Sequence, residues 1–193
     1  PNAAGVVQIT AKDVLDLADN DKAVCPRPSR GKLSADLSAV ATTATLVPAG
    51  IGASEYPASG LVRIGREIMA FTRASDVLTL TRGQEGTTAA THSADDVAQL
   101  CAVFDDLTIN EAAEELLTAY ASIDPAYIPS ADWADENLTW YAGFTIGRVI
   151  ISKPTGVKRL IGELCQLGVM IWWDAVDQEI KFKVNAPLLP GEA

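Results

Sequence analysis

Hydrophobic and polar positions follow two different rhythms along this chain. Between residues 32 and 104 the rhythm is short. Leu46 with Val47, residues 61–64, residues 67–72 and residues 77–81 carry β-branched side chains in partial alternation, which predicts strands. Gly60, the Gly65-Arg66 pair, residues 74–76 and residues 83–86 separate them at hairpin spacing. Residues 64–71 predict a hairpin with Gly65-Arg66 as its tight turn, because glycine adopts positive φ without a Cβ clash. Residues 97–103 predict a closing strand, which completes a compact β module of five or six strands.

On either side the rhythm changes. Val6, Val7, Gln8 and Ile9 predict a short strand. Thr10, three residues before Asp13, resembles a capping box, and Val14, Leu15, Leu17 and Ala18 supply the apolar face of a helix ending near Asn20. Pro26, Pro28 and Gly31 then forbid regular structure and mark a boundary. After the module, Thr108 and Glu111 form a capping-box pattern ahead of a stripe of Ala112, Ala113, Leu116, Leu117 and Tyr120. Residues 132–141 predict a further helix anchored by Trp133, Leu138 and Trp140, and residues 144–151 a strand. Pro154 stands near the start of a helix with Val157, Leu160, Ile161, Leu164 and Cys165 on its apolar face and Gly168 as its cap. Residues 169–173 and 179–184 predict a hairpin around the turn at 174–178.

The fold class expected is therefore α+β. A mixed α/β scaffold, residues 1–29 and 104–187, carries an inserted all-β module, barrel- or sandwich-like, at 30–103. Residues 188–193 read as a linker, and a chain that opens on Pro1 reads as a piece of a longer polypeptide.

Composition narrows the partners. Asp and Glu number 25 against 15 Lys and Arg, a formal net charge of −10. That surface repels phosphate backbones, so nucleic acid is not expected as a direct partner, and Arg27, Arg30 and Lys32 read as a solvated loop. Cys25, Cys101 and Cys165 form no CxxC pair, which disfavours zinc and favours reduced thiols near the core; a Cys25–Cys101 bridge stays open. No apolar run approaches the ~18–20 residues of a transmembrane helix.

Catalytic patterns are missing. His92 is the single histidine, and there is no GxSxG, P-loop or dinucleotide fingerprint. Glu111, Glu114 and Glu115 share a helix, and Asp174 with Asp177 suits a turn better than a calcium loop. No catalytic, metal or cofactor residue is assigned, and an enzyme is not expected. The polar turn residues serve the backbone: Gly83 and Gly86 as turn formers, Arg82 as a bidentate clamp on Glu67 or Glu85, Thr87 and His92 fixing the long loop through backbone bonds. Trp172 and Trp173 are adjacent on one strand and must point to opposite faces. If one of them is exposed, it is a protein contact or a sugar platform; if not, both are covered by this polypeptide.

Residues 60–72, then 78–87, then His92 and Val97, resemble a pattern common in phage tail proteins: glycine, strand, Ile-Gly, Glu-Ile, aromatic-Thr, second strand, Arg-Gly, Gly-Thr, His. The flanks are similar to the same region, through residues 12–19, Cys25-Pro26, residues 116–118, Trp133, residues 153–157 and residues 171–174. Together they resemble the hub region of siphophage tail-tip, host-specificity-type proteins. The resemblance implies a virion structural protein at the tail tip or baseplate, made in the host cytoplasm. It would assemble as a symmetric ring with copies of itself and other tail proteins. An alternative is a module that attaches to a host-surface receptor or glycan, with Tyr56, Phe71 or an exposed Trp lining a groove. A wall-degrading enzyme is the third reading.

Overall fold

A computed structural model describes residues 13–186. The predicted strand at 6–9, the Thr10 cap and the linker at 188–193 lie outside these residues. The fold is α+β, as the two rhythms predict.

The β sheet is built from β2 (Lys32–Leu33), β3 (Thr43–Val47), β4 (Ser59–Ile64), β5 (Glu67–Ala74), β6 (Val77–Gln84) and β7 (Gln99–Leu100). All its pairings are antiparallel, in the order β2-β3-β6-β5-β4-β7. The sheet curls into a half-barrel. Its two ends meet through a bridge between Lys32 and Val97 and through bonds from Leu33 N–H to Asp96 O and from Ala98 N–H to Gly31 O. The tight turn after β4 falls at Gly65-Arg66, with Ile64 paired to Glu67 and Gly65 at φ +57°. A short helix, α1 (Ile51–Glu55), follows β3. Leu33, Leu46, Val62, Ile64, Met69, Phe71, Leu78 and Leu80 fill the curled interior.

The second body has its own core. β1 (Val24–Cys25) pairs with β10 (Thr155–Gly156), β8 (Ala102–Asp105) with β9 (Arg148–Ile151), and β11 (Val169–Asp174) with β12 (Glu179–Val184). The helices are α2 (Ile109–Glu115), extended by a π-helical turn at Leu116–Tyr120, then α3 (Ser130–Tyr141) and α4 (Val157–Cys165). The Glu111 carboxylate accepts from the Thr108 N–H at 2.8 Å and hydroxyl at 2.6 Å, so the expected start signal of α2 is in place. Phe104, Ile109, Leu117, Trp133, Val157, Ile180 and Phe182 form this core. Every buried residue of this cluster lies at 18–25 or 102–182, and every one of the sheet's cluster lies at 33–98. The two chain crossings lie side by side, since Leu100 N–H donates to Ser29 Oγ and Ser29 N–H to Gln99 Oε1.

Several local expectations differ from the structure. Asp13 is itself the N-cap, accepting from Asp16 N–H, and the segment Val14–Asp19 is 3-10 rather than α. The strand expected at 97–103 is divided: Gln99 and Leu100 extend the sheet, while Ala102 onward pairs with β9 in the other body. The strand expected at 144–151 begins only at Arg148, because Gly143 and Gly147 take positive φ and turn the chain. Leu138 is 66 % exposed and anchors nothing; Trp133 carries α3, with Asn137 also buried one turn on. Leu138 follows Trp133 by five residues, which rotates it off the packed face.

The glycines of the β6 exit are unequal. Gly83 has φ +59°, and a Cβ there would stand 3.2 Å from the Ala89 nitrogen and the Thr87 oxygen. Gly86 has φ +72° with open space around it. Gly86→Ala should cost roughly 1–2 kcal/mol from left-handed strain alone, and Gly83→Ala should cost more because backbone must also move. Thermal melts of both variants check the order; equal losses would remove the steric part.

Candidate functional site

Two places collect the side chains singled out by the sequence: a buried charge cluster inside the sheet and an exposed face of the β11–β12 ribbon.

The cluster follows from strand parity. Glu67, Met69 and Phe71 alternate onto the buried face of β5, so the Glu67 carboxylate enters the interior with no exposure. A buried carboxylate requires partners. Arg82 on β6 supplies a bidentate pair, Nε to Oε1 and Nη2 to Oε2, each 2.8 Å. Gly83 N–H donates to Oε1 at 3.0 Å, and Ala90 N–H to Oε2 at 3.0 Å. His92 places Nε2 2.9 Å from Oε2. An ionised carboxylate only accepts, so this nitrogen carries the proton. Arg82 also donates to the carbonyls of Ser38, Ala41 and Ala90, which uses all five guanidinium N–H groups. One ion pair thus ties β5 and β6 to the loops at 38–41 and 90–92.

Burial alone would raise the Glu67 carboxyl. The Arg82 bond first, then the Ala90 N–H, His92 and the Gly83 N–H, outweigh it and hold the group down to about 2 from an ordinary 4.5. The group therefore contributes stability in full above pH 4.5, and that stability is lost as pH falls through about 2. The shift corresponds to roughly 3 kcal/mol. Denaturant midpoints should drop across this acid window in the wild type, with a shallower drop in Glu67→Gln. Parallel acid profiles for the two would contradict the assignment.

The clamp expected on Glu67 or Glu85 falls on Glu67; Glu85 pairs with Arg148 at 3.0 Å instead. Thr87 does serve the backbone, its hydroxyl accepting from Ile68 N–H at 3.0 Å and donating to Gln84 O at 2.7 Å. His92 does so only through its own main chain, which pairs with Leu37; its ring binds Glu67. Sequence reasoning missed His92 as a partner of Glu67. The available signal was that Glu67 shares parity with Met69 and Phe71. Every Glu67 oxygen is taken from within, so the cluster braces the sheet and presents no open lone pair to a ligand.

The ribbon face is the opposite case. Val169, Ile171 and Trp173 of β11 face the core together with Val184, Phe182 and Ile180 of β12. Trp173 meets Tyr127 edge-on, with ring centroids 5.5 Å apart. The alternate residues face out: Met170 opposite Lys183, Trp172 opposite Lys181. Met170 is 49 % exposed and Trp172 is 40 % exposed. The charges on this face are already engaged, Lys181 with Asp177 and Glu179, Lys183 with Glu136 at 2.6 Å. What remains open is apolar: a thioether and an indole on a rigid strand.

Tyr56 and Phe71 are both 3 % exposed and pack edge-to-face in the sheet interior, so they line no groove. The three cysteines are free thiols. Burial pushes Cys25 up to about 12 and Cys101 up to about 11, which disfavours the reactive thiolate form. Among the described residues no group of His, Cys, Asp and Glu is arranged to hold a metal, and no helix is long and apolar enough to cross a membrane. No protein-family model and no curated protein matches the chain.

Proposed function

We propose that this chain is a structural piece of a phage tail-tip or baseplate hub, and that it works by contact with neighbouring tail proteins, copies of itself included, in a ring. The observation that carries this reading is the outer face of the β11–β12 ribbon, where Met170 and Trp172 stand uncovered while the adjacent lysines are ion-paired. Trp is among the side chains enriched at interface hot spots. The three two-stranded ribbons of the scaffold, β1–β10, β8–β9 and β11–β12, add strand edges that partners can cover. The polar cluster that chemistry would need is consumed inside the sheet. The hub assignment itself rests on the resemblance at residues 60–97 and its flanks. In this reading the sheet is a module inserted into the scaffold and displayed on the outside of the ring.

A second reading takes Trp172 as a sugar platform, since an exposed indole also stacks on glycans. Two experiments separate the readings. Gold-labelled antibody raised against the chain should decorate the distal tail end of phage particles encoding it; label elsewhere or absent from particles would overturn the hub reading. On a glycan array, saturable binding that Trp172→Ala abolishes would favour the sugar platform.

A further inference from the structure

Among the described residues β9 has one main-chain neighbour, β8. The Asp106 N–H donates to Gly147 O at 3.0 Å, just beyond the facing residues Asp105 and Arg148. That bond sets the phase of the antiparallel ladder. Val149 and Ile151 turn their N–H and C=O groups toward β8, and Arg148 and Ile150 turn theirs outward. The outward groups meet no partner strand among the described residues. The face of this edge that carries Val149 and Ile151 borders an apolar cleft of about 540 Å³. Phe104 of β8, Leu116 at the end of α2, and Leu160 and Leu164 of α4 form its other walls. An open strand edge and an apolar hollow thus lie side by side.

We infer that the β9 edge accepts an extended segment of a different protein as a third strand, one that alternates apolar residues with Lys or Arg. An open edge is satisfied by main-chain bonds, and alternate side chains of the added strand read the surface on each face. Those beside Val149 and Ile151 enter the cleft, which calls for apolar residues at every second position. Those on the opposite face lie beside Arg148, whose guanidinium is shared by two carboxylates, Glu85 and Asp105, each 3.0 Å away. Asp106, which follows β8, takes a bond from the Thr145 hydroxyl at 3.4 Å and is ion-paired with no cation among the described residues. Glu163, the single charged side chain in the cleft lining, is already paired with Arg159 at 3.1 Å. The edge therefore keeps an excess of negative charge, which cationic residues of a partner complement. A second copy of the chain is a poor match, because it carries the same formal net charge of −10. The chain's own strand of this pattern, β12, is committed, with Ile180 and Phe182 buried in the scaffold core.

The inference requires a strand-forming partner and not the hub reading, so either can fail while the other stands. The probe is the acetylated and amidated hexapeptide Lys-Leu-Lys-Leu-Lys-Leu, added to the full chain. It should bind saturably, more weakly as salt rises, and should slow hydrogen exchange at the Arg148 and Ile150 amides. The counterpart with Glu in place of Lys should bind about tenfold more weakly. So should a fully N-methylated version of the Lys peptide, which has no donor to offer β9, by about tenfold. Ile150→Pro removes one outward N–H and leaves the ladder to β8 in place, and should weaken binding of the unmodified peptide likewise. The N-methylated arm uses the unaltered protein, so it decides the matter even if that variant fails to fold. Four results would each overturn the inference: no saturable binding of the Lys peptide, equal binding of the Glu peptide, unchanged exchange at Arg148 and Ile150, or undiminished binding after N-methylation. The last would assign the cleft to apolar ligands without strand pairing.

Discussion

Arg82→Ala should destabilise the curled sheet by roughly 3–5 kcal/mol, the range for stripping one partner from a buried ion pair. The substitution removes both bidentate bonds to Glu67 and frees the carbonyls of Ser38, Ala41 and Ala90 at once. The carboxylate left behind keeps its Gly83, Ala90 and His92 bonds but loses its compensating charge. Adding Glu67→Gln should recover part of the loss, because a neutral amide in that place carries no charge to bury. Urea titrations of the two single variants and the double variant form the cycle. Simple additivity would mean that the two side chains act independently.

A loss of similar size is expected from Trp133→Ala, about 3–5 kcal/mol for a large buried aromatic, but in the other body. Trp133 is 1 % exposed, its ring is 5.4 Å from that of Phe182, and its indole N–H donates to Ile180 O at 3.0 Å. If the sheet is an inserted module with a separate core, hydrogen exchange should accelerate in α2, α3 and β12 while β4, β5 and β6 keep their protection. Arg82→Ala should give the reverse pattern. Across the join Arg63 Nε donates to Ser152 O and Arg148 pairs with Glu85, polar contacts that suit two weakly coupled units. Equal acceleration in both bodies would show a single cooperative unit and remove the insertion model.

The parts of the fold legible in the sequence are those specified locally. The β4–β5 turn is fixed by Gly65, the β11–β12 ribbon by its turn residues at 174–178 and the alternation of β12, and α2 by its Thr108–Glu111 cap. The opposite orientation of Trp172 and Trp173 follows from strand parity alone. What escaped was decided by distant partners. β1 and β10 are two residues each and exist only because they meet. The break at Cys101, between β7 and β8, depends on which body each half finds to pair with. Glu67 looks like an ordinary strand carboxylate until register brings Arg82 and His92 onto it. Leu138 looks like an anchor until the helix phase is set by Trp133.

The ribbon face carrying Trp172 is proposed to meet another protein. Lys181 and Lys183 stand directly across from Trp172 and Met170 and serve as reporters of that face. Cross-linking mass spectrometry on phage particles containing the chain should find links from these lysines to another tail protein or to a second copy. Links confined to residues of the same chain, with both lysines freely modified by a soluble reagent in the intact particle, would contradict it.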